Sequence, residues 1–198
     1  MKRIIIGLAL SLLAVAARAD DGINSDIYVN KKFSISQNTR FAVMPFALTA
    51  SWAQAQNEES TKKNVEDKNT DKFELSLLNA GVKVIERNKL ERIFSEQTFS
   101  KTGLTEADSI KLGKMLSADV VVLGTIPIWT YYDKTHKGFI EILIKGVAVE
   151  TGEIVFKVMF DAKINTTDDD FRYDMAQLET KSYKMLGEKI KGLVERNK

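Results

Sequence analysis

The spacing of apolar and polar positions changes several times along the chain, and each change marks an element. Residues 40–46 form an apolar run that predicts a buried strand ending near Pro45, because proline cannot donate to a neighbouring strand. A helix best defined over residues 71–80 follows, since four apolar side chains recur at helical spacing: Val65, Phe73, Leu77 and Ala80. Gly81 stands where a helix-ending glycine belongs.

Two short helices separate the next two predicted strands. Residues 82–87 alternate like a strand, and Asn88 is expected to cap a helix directly after them. Residues 105–108 are typical of a capping box that starts a second helix, whose buried stripe is expected to be Leu112, Met115 and Leu116. Residues 118–126 are mostly β-branched, which is typical of a strand covered on both faces.

The last third of the chain has a different pattern. Residues 139–150 and 153–163 are predicted strands joined by Thr151 and Gly152 as a two-residue hairpin turn. Residues 169–196 form one long amphipathic helix. The order is therefore β-α-β-α-α-β, then an antiparallel hairpin and a long C-terminal helix. It predicts an α/β fold with a mixed sheet whose parallel strands come first.

Residues 1–19 have the features of a secretory signal peptide. A basic start precedes an apolar run of 14 positions, and an Ala-Arg-Ala cleavage site ends at Ala19. The run is shorter than the ~20 residues of a membrane-spanning helix, and no later run approaches that length. We expect cleavage after Ala19, a periplasmic product, an extended arm over residues 20–38 and one domain over residues 39–198.

The signal peptide also accounts for the positive net charge. The chain has 29 basic and 27 acidic side chains, and three of the basic ones, Lys2, Arg3 and Arg18, are lost on cleavage. The nearly neutral remainder lacks the clustered basic excess of a nucleic-acid binder. The absence of cysteine excludes disulfides, a thiol nucleophile and a lipid-anchoring cysteine.

Motifs that carry catalytic chemistry are missing from the sequence. It has no phosphate-binding glycine loop and no nucleophile elbow, and its single histidine, His136, cannot form a multi-histidine metal site. The sharpest acidic cluster is Asp168, Asp169 and Asp170. We interpret it as a cap of the last helix, where each carboxylate gains ~0.3–1 kcal/mol, with a metal site as the alternative. We expect no enzyme activity and no cofactor.

Four aromatic residues are candidates for contact with a protein partner. Trp129, Tyr131 and Tyr132 end a predicted strand just before a polar loop, and Trp52 lies in the polar segment 47–69. Aromatic side chains at such positions pack at the edge of a core or anchor a protein partner. Both interpretations stay open, and the polar segment is a further candidate contact.

Four segments resemble the CsgG family of bacterial envelope proteins, in the same order and at similar spacing. They are residues 40–46, 81–93, 110–124 and 149–154, with the sequences RFAVMPF, GVKVIERNKLERI, IKLGKMLSADVVVLG and VETGEI. The resemblance implies a three-layer fold similar to anticodon-binding domains. The family includes the curli secretion channel, and LpoB-type activators of peptidoglycan synthases have related domains. The shared motifs are structural, so the resemblance transfers no active-site residues.

Two departures from the channel proteins shape the expected function. The chain lacks the acylated cysteine, and residues 125–137 leave no room for a membrane hairpin, whose strands need ~9–11 residues each. We therefore expect a non-catalytic periplasmic module that binds an envelope protein or itself, as an accessory of secretion, flagellar or cell-wall machinery. The alternative is a subunit of an oligomeric ring that serves outer-membrane secretion and associates with the membrane peripherally.

Overall fold

The computed structural model describes residues 23–49, 58–96, 105–132, 137–165 and 171–195. Seven strands and four helices occupy these residues. In chain order they are β1 (Ile23–Val29), β2 (Arg40–Val43), β3 (Ala47–Leu48), α1 (Glu58–Asn79), β4 (Lys83–Val84), α2 (Arg87–Glu96), α3 (Glu106–Met115), β5 (Val120–Tyr132), β6 (Lys137–Ala148), β7 (Ile154–Asn165) and α4 (Phe171–Glu195).

The strands form one mixed sheet in the order β1-β7-β6-β5-β2-β4, and the short β3 also pairs with β5. β2 pairs in parallel with β4 and with β5. The pairs β5–β6, β6–β7 and β7–β1 are antiparallel. The structure thus confirms the predicted α/β fold, in which the parallel strands come first and the antiparallel hairpin follows.

Helices lie on both faces of the sheet and give it three layers. α1 and α4 share one face, where Phe73 and Leu77 pack with Leu186 and Ile190 in the larger core. α2 and α3 lie on the opposite face, where Leu90 and Leu112 belong to a smaller core. β5 supplies alternate residues to both cores, because its two faces are both covered: Val120 and Val122 to the larger, Val121 to the smaller.

The segment predicted as an extended N-terminal arm contains an edge strand. β1 pairs over its whole length with β7, from Ile23 opposite Ala162 to Val29 opposite Phe156. From Asn24 to Val29 its side chains alternate between exposed and half-buried, as in a strand with one face against the core. The arm is therefore extended where it is described, and it is part of the same sheet as the rest of the chain.

Helix α1 begins at Glu58, well before the predicted residues 71–80. Its first half buries polar side chains that bind the backbone, so the apolar period there is weak. Glu66 accepts from the Leu48 N–H at 2.8 Å, and Thr70 accepts from the Phe46 N–H at 3.0 Å. These two bonds tie α1 to the segment around β3.

The predicted boundaries around α2 and in the β6–β7 connection also need correction. β4 is only two residues long, and α2 starts at Arg87, so Asn88 lies inside the helix. The β6–β7 connection spans residues 149–153, longer than a two-residue turn, with Gly152 at φ +73°. Gly81 also has a positive φ, +81°, as its predicted place at the end of α1 requires.

Helix α3 has the predicted start but a different buried side. The Thr105 hydroxyl accepts from the Asp108 N–H at 3.1 Å, which confirms the cap. A Cβ on Gly113 would lie 2.5 Å from Val121 and 2.6 Å from Val149, so the helix packs closely on the sheet through this side. Met115 consequently points outward and is 44% exposed, contrary to the prediction.

Arg87 joins α2 to α1, and one oxygen of a nearby carboxylate has no hydrogen-bond partner among the described residues. The guanidinium contacts Asp67 at 2.8 Å and Asp71 at 2.5 Å. Glu74, one turn further along α1, has a buried Oε1 without a donor among the described residues. Burial raises the pKa of the Glu74 carboxyl above its usual value, Arg87 opposes this, and Asp71 adds to it.

Two glycines of α4 give a matched test of helix packing. A Cβ on Gly187 would lie 3.0 Å from the Ser76 carbonyl oxygen of α1, whereas one on Gly192 meets nothing within 4 Å. We expect Gly192→Ala to raise the free energy of unfolding by about 0.5–1 kcal/mol. Gly187→Ala should lower it by about 1 kcal/mol, since overpacking costs ~1–3 kcal/mol. Urea denaturation measures both, and equal shifts would contradict the close α1–α4 contact.

Replacing Glu74 should change how stability depends on pH. Because its pKa is raised in the folded protein, the folded state binds the proton more tightly, and this stabilisation is lost as pH rises through the folded pKa. Glu74→Gln should therefore raise Tm near pH 7 but not near pH 4. Glu150→Gln, an exposed control in the β6–β7 connection, should leave Tm unchanged. An equal gain for Glu74→Gln at both pH values would contradict the assignment.

Candidate functional site

Part of the sheet is left open on the face that carries α2 and α3. Both helices pack over β2 and the first half of β5. On β1, β7, β6 and the second half of β5, several side chains of this face are exposed. Those that are apolar include Tyr28, 59% exposed, Met159, 42% exposed, Ile128, 40% exposed, and the half-buried Leu143.

The strand register places these four side chains in a line across the sheet, which we call the apolar diagonal. Met159 lies directly opposite Leu143. Tyr28 pairs with Lys157, two residues before Met159, and Ile128 pairs with Glu141, two residues before Leu143. Diagonal neighbours of this kind are close enough for long side chains to touch. The diagonal therefore runs from β1 to β5 without a break.

Charged pairs border the apolar diagonal on either side. Lys157 lies opposite Lys145 on one side, and Asp161 lies opposite Glu141 on the other. Lys145 contacts Glu106 of α3 at 2.5 Å, and Asp161 accepts from the Asn24 side-chain amide at 3.0 Å. The surface thus has a basic row, an apolar line and an acidic row, in that order across the sheet.

Trp129 points away from this surface, to the face that carries α1 and α4. Its indole N–H donates to Glu179 of α4 at 3.0 Å, and it packs against the larger core while staying partly exposed. The buried Glu179 carboxylate also forms an ion pair with Lys72 of α1. The indole thus joins β5 to both helices.

The reason for this orientation is a bulge at Pro127. The β5–β6 register advances three residues on β5, from Thr125 to Ile128, against two on β6. An extra residue in one strand moves every later side chain to the other face, and proline is common at such points. The bulge turns Trp129 toward α4 and places Ile128 on the apolar diagonal.

A second buried polar contact lies beside the Trp129 bond. The Tyr183 hydroxyl of α4 donates to the Asn69 side-chain oxygen of α1 at 2.8 Å, and the Asn69 amide donates to the Val65 carbonyl at 2.8 Å. Burial and the neighbouring Glu179 raise the pKa of Tyr183 well above its usual value. The phenol therefore stays neutral and remains a donor at all ordinary pH values.

Of the other candidate residues from the sequence, two have a known position on a strand and the rest lie outside the described residues. Tyr131 and Tyr132 lie on β5 opposite Gly138 and Lys137. Trp52, His136 and the acidic cluster at residues 168–170 lie outside the described residues. Within the described ranges, no group of three His, Asp or Glu side chains is arranged to hold a metal ion. The contact role of the four aromatic residues stays a prediction.

A narrow cleft lies between α4 and the sheet. It is mainly apolar, lined by residues such as Ile27, Val158 and Phe160, and Lys189 donates to Ser25 at its rim at 2.9 Å. Its free volume of about 10 Å³ has room for about one water molecule. Small-molecule sites are some hundreds of Å³, so the cleft is a packing feature.

Sequence reasoning missed the apolar diagonal, although two signals were present. β1 was not predicted as a strand, so Tyr28 had no place on a sheet. Met159 and Leu143 stand at outward positions of strands whose other outward residues are mostly polar. An apolar residue at such a position departs from the alternation that a solvated face needs, and Pro127 signals the bulge that adds Ile128.

The family assignment rests on a match to residues 29–139, more than half of the chain. The matching model is that of the curli production assembly/transport component CsgG. This chain belongs to the CsgG family. No curated protein sequence matches the chain. The matched range includes β2, α1 to α3 and β5, and it ends within β6.

Solved structures with low sequence identity share the fold. The PelC dodecamer from Paraburkholderia phytofirmans has a TM-score of 0.57 at 9% identity, covering 85% of this chain and 97% of that chain. Lipoprotein GNA1162 from Neisseria meningitidis has a TM-score of 0.51 at 10% identity, covering 72% and 96%. A hypothetical protein of Chlamydia trachomatis, CT253, scores 0.53 at 13% identity, covering 79% and 98%. Among the described helices, none has the length and apolar character to span a membrane.

Removing the Trp129 hydrogen bond should destabilise the fold. Trp129→Phe keeps an aromatic ring but removes the donor to Glu179, and losing a donor to a buried charged group costs about 1–3 kcal/mol. The control is Tyr28→Phe, which changes an exposed side chain and should leave stability within about 0.5 kcal/mol. Chemical denaturation measures both. If Trp129→Phe were as stable as the control, the indole bond would not hold the helices together.

Proposed function

We propose that this CsgG-family chain is an exported periplasmic module that works without catalysis, by binding another protein of the bacterial cell envelope. The apolar diagonal carries the proposal. Soluble proteins rarely expose connected apolar side chains unless a partner covers them. The bordering lysine and carboxylate rows resemble the polar rim that surrounds the apolar centre of protein interfaces.

The signal-peptide features of residues 1–19 support export. The proposed role as an accessory of secretion, flagellar or cell-wall machinery follows from the family, whose model is named for curli assembly and transport. The end of the β5–β6 hairpin, with Tyr131 and Tyr132, is proposed as a second contact region together with Trp129 and Trp52.

A second candidate function is a subunit of a ring. PelC, one of the similar folds, is a dodecamer. In this alternative the chain associates with its own copies and lies peripherally at the outer membrane. Light scattering of the mature protein in buffer and in detergent distinguishes the two, because a monomer in both would exclude a ring.

Site-specific photo-crosslinking in living cells tests the binding role. A photoreactive residue at Met159 of the full chain should give a crosslink to one other envelope protein, since this position is at the centre of the apolar diagonal. The same residue at the exposed Glu150 should give none. Mass spectrometry of the periplasmic fraction should find Asp20 as the first residue. The proposal would be contradicted if the photoreactive residue at position 159 gave no crosslink. It would also be contradicted if the chain were found in the cytosol with residues 1–19 still attached.

A further inference from the structure

The apolar diagonal lies beside α3, where the helical layer on that face of the sheet ends. α2 and α3 cover β2 and the first half of β5 and reach β6 near Lys145. Among the described residues, no helix lies over β7 and β1 on this face. The four strands that carry the diagonal are spaced by ~4.8 Å and so span ~14 Å. This width exceeds the ~10–12 Å diameter of an α-helix.

The length of the apolar diagonal matches a helical stripe. Tyr28 stands in register with Lys145 through Lys157, and Ile128 stands in register with Glu141. The ends are therefore separated by three strand spacings across the sheet and by residues 141–145 along it, which gives about 20 Å. About 13 helical residues have this length. A helix of that size presents one apolar side chain per turn, which suits the four side chains of the diagonal.

The charges beside the apolar diagonal are unequal on its two sides. On one side the register brings together three carboxylates from β1, β7 and β6: Asp26, Asp161 and Glu141. On the other side are Lys157 and Lys145, and Lys145 is already paired with Glu106 of α3 at 2.5 Å. Exposed Lys157 therefore offers a partner most of the positive charge on its side. An occupant should be more basic than acidic.

The charge and the strand geometry favour a helix over other occupants. Three carboxylates beside the diagonal disfavour an anionic membrane surface, because like charges repel. An extended chain along the diagonal would leave its backbone N–H and C=O groups unpaired, because the diagonal crosses the strands and offers no strand edge. A helix pairs its backbone internally and carries side chains on both flanks of its apolar stripe, where they reach both charged rows.

We propose that the apolar diagonal binds one amphipathic α-helix of the partner protein. The helix has a basic flank that meets the three carboxylates and an acidic flank that meets Lys157, and it extends the layer that α2 and α3 begin. This inference rests on the proposed function and names the kind of partner that the diagonal takes. The charged rows also fix the direction of the helix, since turning it end for end would place its basic flank against Lys157.

Three synthetic peptides test the charge pattern with the mature chain. Each has about 18 residues, so that it is helical in solution, and the same leucine stripe. Their flanks carry lysine on one side and glutamate on the other, lysine on both sides, or glutamate on both sides. Fluorescence anisotropy at low salt should show the tightest binding for the mixed peptide and binding about tenfold weaker for the all-lysine peptide. The all-glutamate peptide should bind most weakly.

Variants of the chain locate the binding on the apolar diagonal. Met159→Ser should weaken binding of the mixed peptide about tenfold, since it removes the central apolar side chain. Met115→Ser changes a methionine of α3 that is equally exposed and should leave binding unchanged. Lys157→Glu should weaken binding of the mixed peptide and strengthen binding of the all-lysine peptide. All three side chains are exposed, so Tm should match the wild type.

Two further probes distinguish a helix from the other occupants. A proline at the centre of the mixed peptide breaks the helix and should abolish binding, whereas unchanged binding would show that the site takes an extended chain. Vesicles of phosphatidylethanolamine and phosphatidylglycerol should not sediment with the protein. Sedimentation that is lost in Met159→Ser would overturn the proposal in favour of a membrane surface.

The peptides and the crosslink in cells test different statements. If all three peptides bind equally or none binds, the helix proposal is overturned, and a crosslink from position 159 to an envelope protein would still support the proposed function. If the peptides bind in the expected order but position 159 gives no crosslink in cells, the proposed function fails and the helix preference of the surface stands. When the crosslink forms, mass spectrometry should place it in an amphipathic helical segment of the partner.

Discussion

The fold depends on the burial of β5 between two helical layers. This strand joins the parallel half of the sheet, through β2 and β3, to the antiparallel half, through β6. Its residues 120–123 are apolar on both faces, because α1 and α4 cover one and α2 and α3 the other. At Gly124 a Cβ would lie 2.3 Å from the Phe46 ring, so this ring occupies the space that a side chain at position 124 would need. β5 is therefore the strand that connects the parallel half of the sheet to the antiparallel half.

The two faces of the sheet are covered by helices to different extents. The contacts that stabilise the fold and the exposed apolar diagonal therefore lie on opposite faces. On one face, α1 and α4 meet along buried polar contacts, Lys72 with Glu179 and Tyr183 with Asn69, and Trp129 of β5 donates to the same Glu179. Satisfied bonds of this kind fix the relative position of two helices, since any shift would leave buried groups unpaired. On the other face, α2 and α3 reach β6 near Lys145 and Val147 and leave most of β6, β7 and β1 uncovered. The apolar diagonal is exposed there, and substitutions on it disturb no buried bond described above.

Much of the architecture could be predicted from periodicity, because most elements bury one regular stripe of side chains. The β-branched run at residues 118–126 and the cap at Thr105 correctly indicated the first half of β5 and the start of α3. The misses share a physical cause, which is side-chain chemistry that periodicity does not measure. The first half of α1 buries Glu66 and Thr70 against backbone N–H groups, so the apolar stripe that marks a helix is absent there. The edge strand β1 needed its distant partner β7 to be recognised.

The candidate surface was harder to predict than the fold, and Pro127 shows why. Aromatic composition indicated the end of β5, but composition does not say which face a residue occupies. One extra residue at the bulge moves Trp129 into the α1–α4 contact and moves Ile128 outward. A surface made from four strands depends on register, and register is set by pairings between residues far apart in sequence.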